Sequence, residues 1–152
     1  MTTSSTASLR RVGGLAVAAG SLFLTVGSGA WFVISKQLRD EKIEVPGDAP
    51  AFAGKTVQGP ATAYVEALVI KGNAERGAGG RTFADIGAAL REAESGSDEE
   101  RALRGQSASL ATAASLRTSL MTSVLAFGVS AFAGGVGTLL LIAGTQLRRS
   151  GS

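Results

Sequence analysis

Three short stretches of the 152-residue chain carry side chains or backbone suited to chemistry. Glu92, Glu94, Asp98, Glu99 and Glu100 form an acidic cluster of the kind that can hold a divalent cation. A calcium loop needs oxygens at alternating positions and a glycine at a fixed place in its turn, and this cluster lacks that pattern. Its charges suit the positive end of a helix and a solvated face. Gly77-Ala78-Gly79-Gly80-Arg81 suggests a phosphate loop, but the full glycine–lysine–serine pattern and a leading buried strand are missing. A flexible linker is the better reading. Tyr64 with Glu66 makes no catalytic constellation, so Tyr64 reads as a packing residue.

The chain has no cysteine and no histidine. Disulfide frameworks, thiolate chemistry, haem ligation by histidine and imidazole bases are therefore excluded. Zinc or non-haem iron would have to be held by carboxylates alone, which is unusual. The sequence supplies no candidate catalytic, cofactor-binding or metal-binding residue.

The other patterned residues are small ones in two uncharged runs. In Val12–Ser35, 24 residues long, Gly13, Gly20 and Gly27 recur every seven residues, with Ala16 near the same face. In the run from Thr118 to Leu147, Gly128 and Gly135 are seven apart, as are Gly137 and Gly144, and Ala131 with Gly135 makes a small-xxx-small pair. Small residues let helix backbones approach closely, and association in lipid depends on that contact. Gly13, Gly20, Gly27, Gly128 and Gly135 are the expected helix-packing positions. Val17 is expected to face outward.

Both runs are long enough, at about 1.5 Å per residue, to cross a hydrocarbon core of roughly 30 Å. Trp31 and Phe32 fall near the end of the first, where aromatic rings favour the membrane interface. A cleaved signal peptide is the rival reading for this run, since Arg10 and Arg11 precede it and Ser28-Gly29-Ala30 fits a cleavage site. The apolar stretch exceeds an ordinary signal core and continues past that site, so retention is expected. Neither run holds an ionisable residue, which disfavours a proton relay, ion pathway or voltage sensor. Apolar residues make up 45% of the chain and aromatics only 5%, a balance that suits packed membrane helices.

The net charge of +3 conceals a segregation. Residues 36–117 carry all 12 acidic groups with 11 of the 15 bases, so that segment stands at −1. The other four bases, Arg10, Arg11, Arg148 and Arg149, flank the uncharged runs from outside. No basic stripe stands free of acids, and a nucleic-acid partner is not expected. Basic density in the tails favours a cytoplasmic location for both, and a loop longer than about 60 residues translocates largely regardless of charge. The expected organisation is a multi-pass plasma-membrane protein: tail 1–11 and tail 148–152 cytoplasmic, spans 12–35 and 118–147, and an extracytoplasmic, mostly helical segment 36–117.

Within that segment Lys36–Glu44 either extends the first helix or frays. Val45–Pro50 is a turn cluster, Lys55–Gln58 is extended, and Gly59-Pro60 suits a helix start. Tyr64–Ile70 fits a helix or a short strand. Thr82 with Asp85, and Ser97 with Glu100, form capping boxes. Phe83, Ile86 and Leu90 share a helical face, Glu100 pairs with Arg104, and Leu103 and Leu110 continue an apolar stripe into the second span. Only 16 of the 82 residues are Leu, Ile, Val, Phe or Tyr, near the composition at which independent folding becomes doubtful. The segment is expected to need the membrane surface, its helix stems or a partner to bury that stripe.

Several strings resemble a family of small actinobacterial membrane proteins. They are Trp31-Phe32-Val33 followed by Ser35, Gln37-Leu38 and Glu41-Lys42-Ile43; Phe52-Ala53-Gly54; Gly59-Pro60 before Thr62-Ala63-Tyr64; Gly79-Gly80-Arg81-Thr82-Phe83-Ala84; Ser115-Leu116-Arg117-Thr118-Ser119-Leu120; and Thr122-Ser123-Val124 before Ala126-Phe127-Gly128-Val129. The resemblance implies two spans and supplies no activity. Members of that family often go under the name aromatic ring-opening dioxygenase. Extradiol ring opening needs iron(II), ordinarily held by two histidines and a carboxylate, and this chain has no histidine. The expectation is a non-catalytic accessory or scaffold component of the membrane. Its loop would meet a protein partner in the membrane or at its outer face, or a second copy of the chain. The alternative is a small subunit of a membrane enzyme or transporter complex. A homo-oligomeric channel is disfavoured by the uncharged spans.

Overall fold

The computed structural model describes residues 3–151, with side chains from residue 6 onward; Met1, Thr2 and Ser152 of the expected tails lie outside the described residues. Four helices follow in order: α1 (Thr3–Asp40), α2 (Pro60–Gly77), α3 (Phe83–Glu92) and α4 (Asp98–Ser150). The architecture is mainly helical, and the only strand-like pairing among the described residues is an isolated antiparallel bridge between Glu44 and Thr56. Two helices, α1 and α4, are long and apolar enough to cross a membrane. Both continue beyond the uncharged runs, because Lys36–Asp40 and Asp98–Arg117 contain no helix breaker that interrupts backbone bonding.

The described residues divide into two compact units, 3–37 with 125–151, and 38–124. In the first, α1 and α4 run antiparallel, and many of the large apolar side chains point away from the contact. Leu15 and Phe132 are both 72% exposed, while Phe127 at the contact is 1% exposed. Hydroxyls on these stretches stay within their own helix. Ser21, Thr25, Ser130 and Thr138 each donate to the carbonyl four residues earlier, at 2.8–2.9 Å.

In the second unit the chain leaves α1 through a turn closed by the Lys42 N–H donating to the Arg39 carbonyl. A short ribbon follows: Val45 and Val57 donate to the Lys55 and Ile43 carbonyls, and both valine side chains are buried. At the start of α2 the Thr62 hydroxyl oxygen accepts the N–H groups of Gln58 and Gly59. Tyr64–Ile70 is helical. The buried face of α2 is Ala63, Glu66 and Ala67, so Tyr64 and Leu68, one turn apart, are nearly half exposed.

Gly79 and Gly80 take positive φ after α2, and Gly80 donates back to the Glu75 carbonyl, which ends the helix. Thr82 then caps α3. Its hydroxyl oxygen accepts the Asp85 N–H, and the Asp85 carboxylate accepts both the Thr82 N–H and hydroxyl. These bonds, the Thr82 hydroxyl first, hold the Asp85 carboxyl below its usual range, with the Arg81 charge adding to the effect. The second cap is shifted by one residue from the box expected. The Ser97 hydroxyl oxygen accepts the Glu100 N–H, but the Glu100 carboxylate accepts the N–H of Gly96 rather than of Ser97. Gly96 at φ 81° turns its amide toward the carboxylate. This bond, together with Arg104, holds Glu100 below the usual carboxylate range.

One buried cluster of this unit is Ala78, Ile86 and Leu103, with Ala89, Leu90, Ala93 and Leu110 packed against it, apart from the buried Val45, Val57, Ala63 and Ala67. Phe83 does not join Ile86 and Leu90 there. It is the first residue of α3, ahead of the packed turn, and is 58% exposed.

Candidate functional site

The most specific arrangement is the contact between α1 and α4. A methyl group added at Gly20 would lie 2.7 Å from the Gly137 carbonyl oxygen, and one at Gly137 would lie 2.8 Å from the Gly20 carbonyl oxygen. Gly13 and Gly144 stand in the same reciprocal relation, 2.7 Å each way. A methyl at Gly27 would meet the Ser130 carbonyl oxygen at 2.8 Å, and Gly151 packs on Thr6 and Arg10. Each step of seven along α1 is thus matched by a step of seven the other way along α4. A seven-residue repeat keeps one stripe of a helix facing its partner over several turns. Only hydrogen fits at these positions, because the atoms in the way are mostly backbone and cannot swing aside.

Gly13, Gly20 and Gly27 of the expected packing set sit on this contact. Gly128 and Gly135 do not, since a methyl group at either would meet nothing within 4 Å. Two glycine series a few residues out of step occupy α4, and spacing within one helix does not reveal which series faces the other. Val17 is likewise on the contact rather than outward: its Cγ2 lies 2.9 Å from where a Gly144 methyl would sit. Trp31 and Phe127 close one end of the contact edge to face, with ring centroids 4.7 Å apart. At the other end, a methyl at Gly13 would lie 2.8 Å from Cγ of Arg148, so this arginine's stem lies along the seam. Arg11 is exposed, and Arg10 packs its stem beside Gly151. Arg149, the last of the four flanking bases, lies in the final turn of α4.

Two clefts among the described residues lie in the second unit. One, about 400 Å³, runs between the end of α2 and α4 and is lined by small residues such as Ala74, Gly77, Ala102 and Gly105. Arg81 reaches across near it to Gln106 Oε1 at 2.8 Å. The other, about 540 Å³, is lined by Arg39, Lys42, Glu44, Lys55, Thr56, Gln58 and Thr62. Sequence reasoning missed it, because three cations from separate segments converge only through the turn at Lys42 and the ribbon.

Glu66 is 94% buried (6% exposed), and its Oε2 has no hydrogen-bond partner among the described residues. Burial pushes its carboxyl above the usual range. Tyr64, two residues earlier, faces solvent, so the two make no shared site. The acidic cluster disperses. Glu100 is spent on its cap and Arg104, Asp98 pairs with Arg101, and no group of three or more acidic residues among the described residues is placed to hold a metal ion. Gly77–Arg81 forms the end of α2 and a turn, with no strand leading into it. Neither a protein-family model, nor a curated protein, nor a solved structure matches the chain.

Proposed function

We propose that the chain is a non-catalytic, two-span protein of the plasma membrane, an accessory or scaffold component that displays residues 36–117 outside the cell for a partner. One observation carries this reading. The two apolar helices meet through glycines and turn many of their large apolar side chains outward, leaving only 11% and 17% of their most apolar stretches buried. A helix in a soluble core does the reverse. Water cannot satisfy such a surface, whereas lipid can. Ser21, Thr25 and Thr138 donate within their own helix, which satisfies these hydroxyls without water. The matched seven-residue steps also support retention of the first span, since a segment destined for removal has no need to fit α4 turn by turn.

The sidedness rests on the basic tails and the length of the loop. Single cysteines at Ser5, Gly87 and Ser150, treated with a membrane-impermeant maleimide on intact cells, test it. The cysteine at 87 has open space around it. It should label, and the two tail cysteines should label only after the membrane is opened. Labelling of the tails with protection of position 87 would reverse the orientation.

A further inference from the structure

We infer that the 540 Å³ cleft is a binding site for a phosphate ester, the chemistry of an anionic phospholipid headgroup or of a soluble phosphate compound. Its volume falls within the roughly 300–1,000 Å³ of small-ligand pockets and exceeds what a bare ion fills. Its charge is opposite to that of its surroundings. Residues 36–117 carry −1 in all, yet Arg39, Lys42 and Lys55 line the cleft against the single carboxylate of Glu44. Of the seven other bases in this unit, three are matched by a carboxylate, Lys71 by Glu75, Arg101 by Asp98 and Arg104 by Glu100, and the rest are spread along α2, the turn after it, α3 and α4. None of the three cleft cations lies within 4.0 Å of a carboxylate among the described residues.

The backbone is bent to bring them together. Lys42 has φ 53° and Phe52 φ 59°, a left-handed region that side-chain-bearing residues rarely occupy and that commonly marks functional sites. Lys55 stands over the Phe52 ring, 5.8 Å from its centroid, which limits where its ammonium can go. Thr56 and Gln58 add hydroxyl and amide donors at the wall, whereas the Thr62 hydroxyl already donates to the Gly59 carbonyl. Convergent cations with polar donors are the recurring means of holding phosphate oxygens.

A lipid source rests on the membrane reading. Arg39 follows Ser35, the last residue of the uncharged run, by four helical residues, about 6 Å along the axis. The headgroup layer extends about 5–8 Å beyond the hydrocarbon core on each side. Arg39 then lies at the depth of lipid phosphates.

The test uses the full chain in an uncharged detergent, titrated with short-chain phosphatidylglycerol and with inorganic phosphate, and read by calorimetry and native mass spectrometry. Removing all three cations (Arg39→Gln, Lys42→Gln, Lys55→Gln) should weaken binding about a hundredfold, at about fivefold per cation. Glu44→Gln should tighten it by about fivefold on the same scale. Three exposed cations outside the cleft, changed together (Lys71→Gln, Arg76→Gln, Arg91→Gln), should leave it unchanged. Phosphatidylglycerol binding far above inorganic phosphate assigns the site to a lipid headgroup, and equal affinity assigns it to a soluble phosphate ester. No saturable binding of either probe, or binding indifferent to both the triple change and Glu44→Gln, overturns the site. If the triple variant loses its helical circular dichroism, Glu44→Gln alone decides. Recovery of the chain in water without detergent would defeat the membrane reading, and the inorganic phosphate titration would still judge the cleft.

Discussion

Leucine in place of Gly20 will part α1 from α4, at a cost of about 1–3 kcal/mol of helix pairing. The first added carbon already lies 2.7 Å from the Gly137 carbonyl oxygen and 2.9 Å from the Leu141 nitrogen, so the backbones themselves must move. That movement forfeits dispersion contacts along the seam. No charged side chain lies within either uncharged run to offset the loss, and the one amide, Gln146, sits near the end of α4 away from Gly20. Gly137→Leu should cost a similar amount, because the contact is reciprocal. Gly128→Leu should be nearly neutral, since a first added carbon there meets nothing within 4 Å. Unfolding by a denaturing detergent, followed by Trp31 emission, reads the difference, because Trp31 packs on Phe127 across the same contact. Equal midpoints for Gly20→Leu and Gly128→Leu would mean that the glycines reflect composition alone.

Truncating Ile86 to alanine should cost about 2–5 kcal/mol in the second unit, the usual range for emptying a buried aliphatic site. Ile86 is fully buried in a cluster that has only Ala78 and Leu103 as its other buried members. A cluster this small has little stability to lose. Amides across residues 60–110 should then exchange rapidly with deuterium, while those of residues 12–35 keep their protection. Phe83→Ala on the same helix should stay within about 0.5 kcal/mol, since Phe83 is largely exposed. Equal exchange in the two variants would show that the cluster does not hold the unit together.

The helical architecture and both apolar stretches were legible because periodicity, capping residues and uncharged length are local properties of the chain. Thr82 with Asp85 could be read three residues apart, and the Asp85 carboxylate does accept the Thr82 N–H. The tertiary facts were less legible. Gly20 and Gly137 carry no mark that they face each other, and Gly128 has the same spacing credentials as Gly137. Choosing between them requires the register of two helices separated by the whole loop. Glu66 shows the limit differently. A carboxylate on an Ala-rich helix is expected in water, and its burial follows from which face of α2 packs inward. The phosphate cleft joins Arg39, Lys42 and Lys55, whose meeting depends on a left-handed residue at Lys42 that no propensity favours.

Trp31 is the chain's only tryptophan, so its position can be measured without labels or substitutions. It lies four residues before the end of the first uncharged run, about 6 Å inside that boundary. The residue is 40% exposed. The full chain in bilayers that contain lipids brominated at defined carbons provides the most direct test of the two-span arrangement. Bromines near the headgroup end of the acyl chain should quench Trp31 strongly, bromines at the chain ends should quench it less, and aqueous iodide should leave it unaffected. Quenching by iodide with indifference to every brominated lipid would place α1 in water and contradict the two-span arrangement.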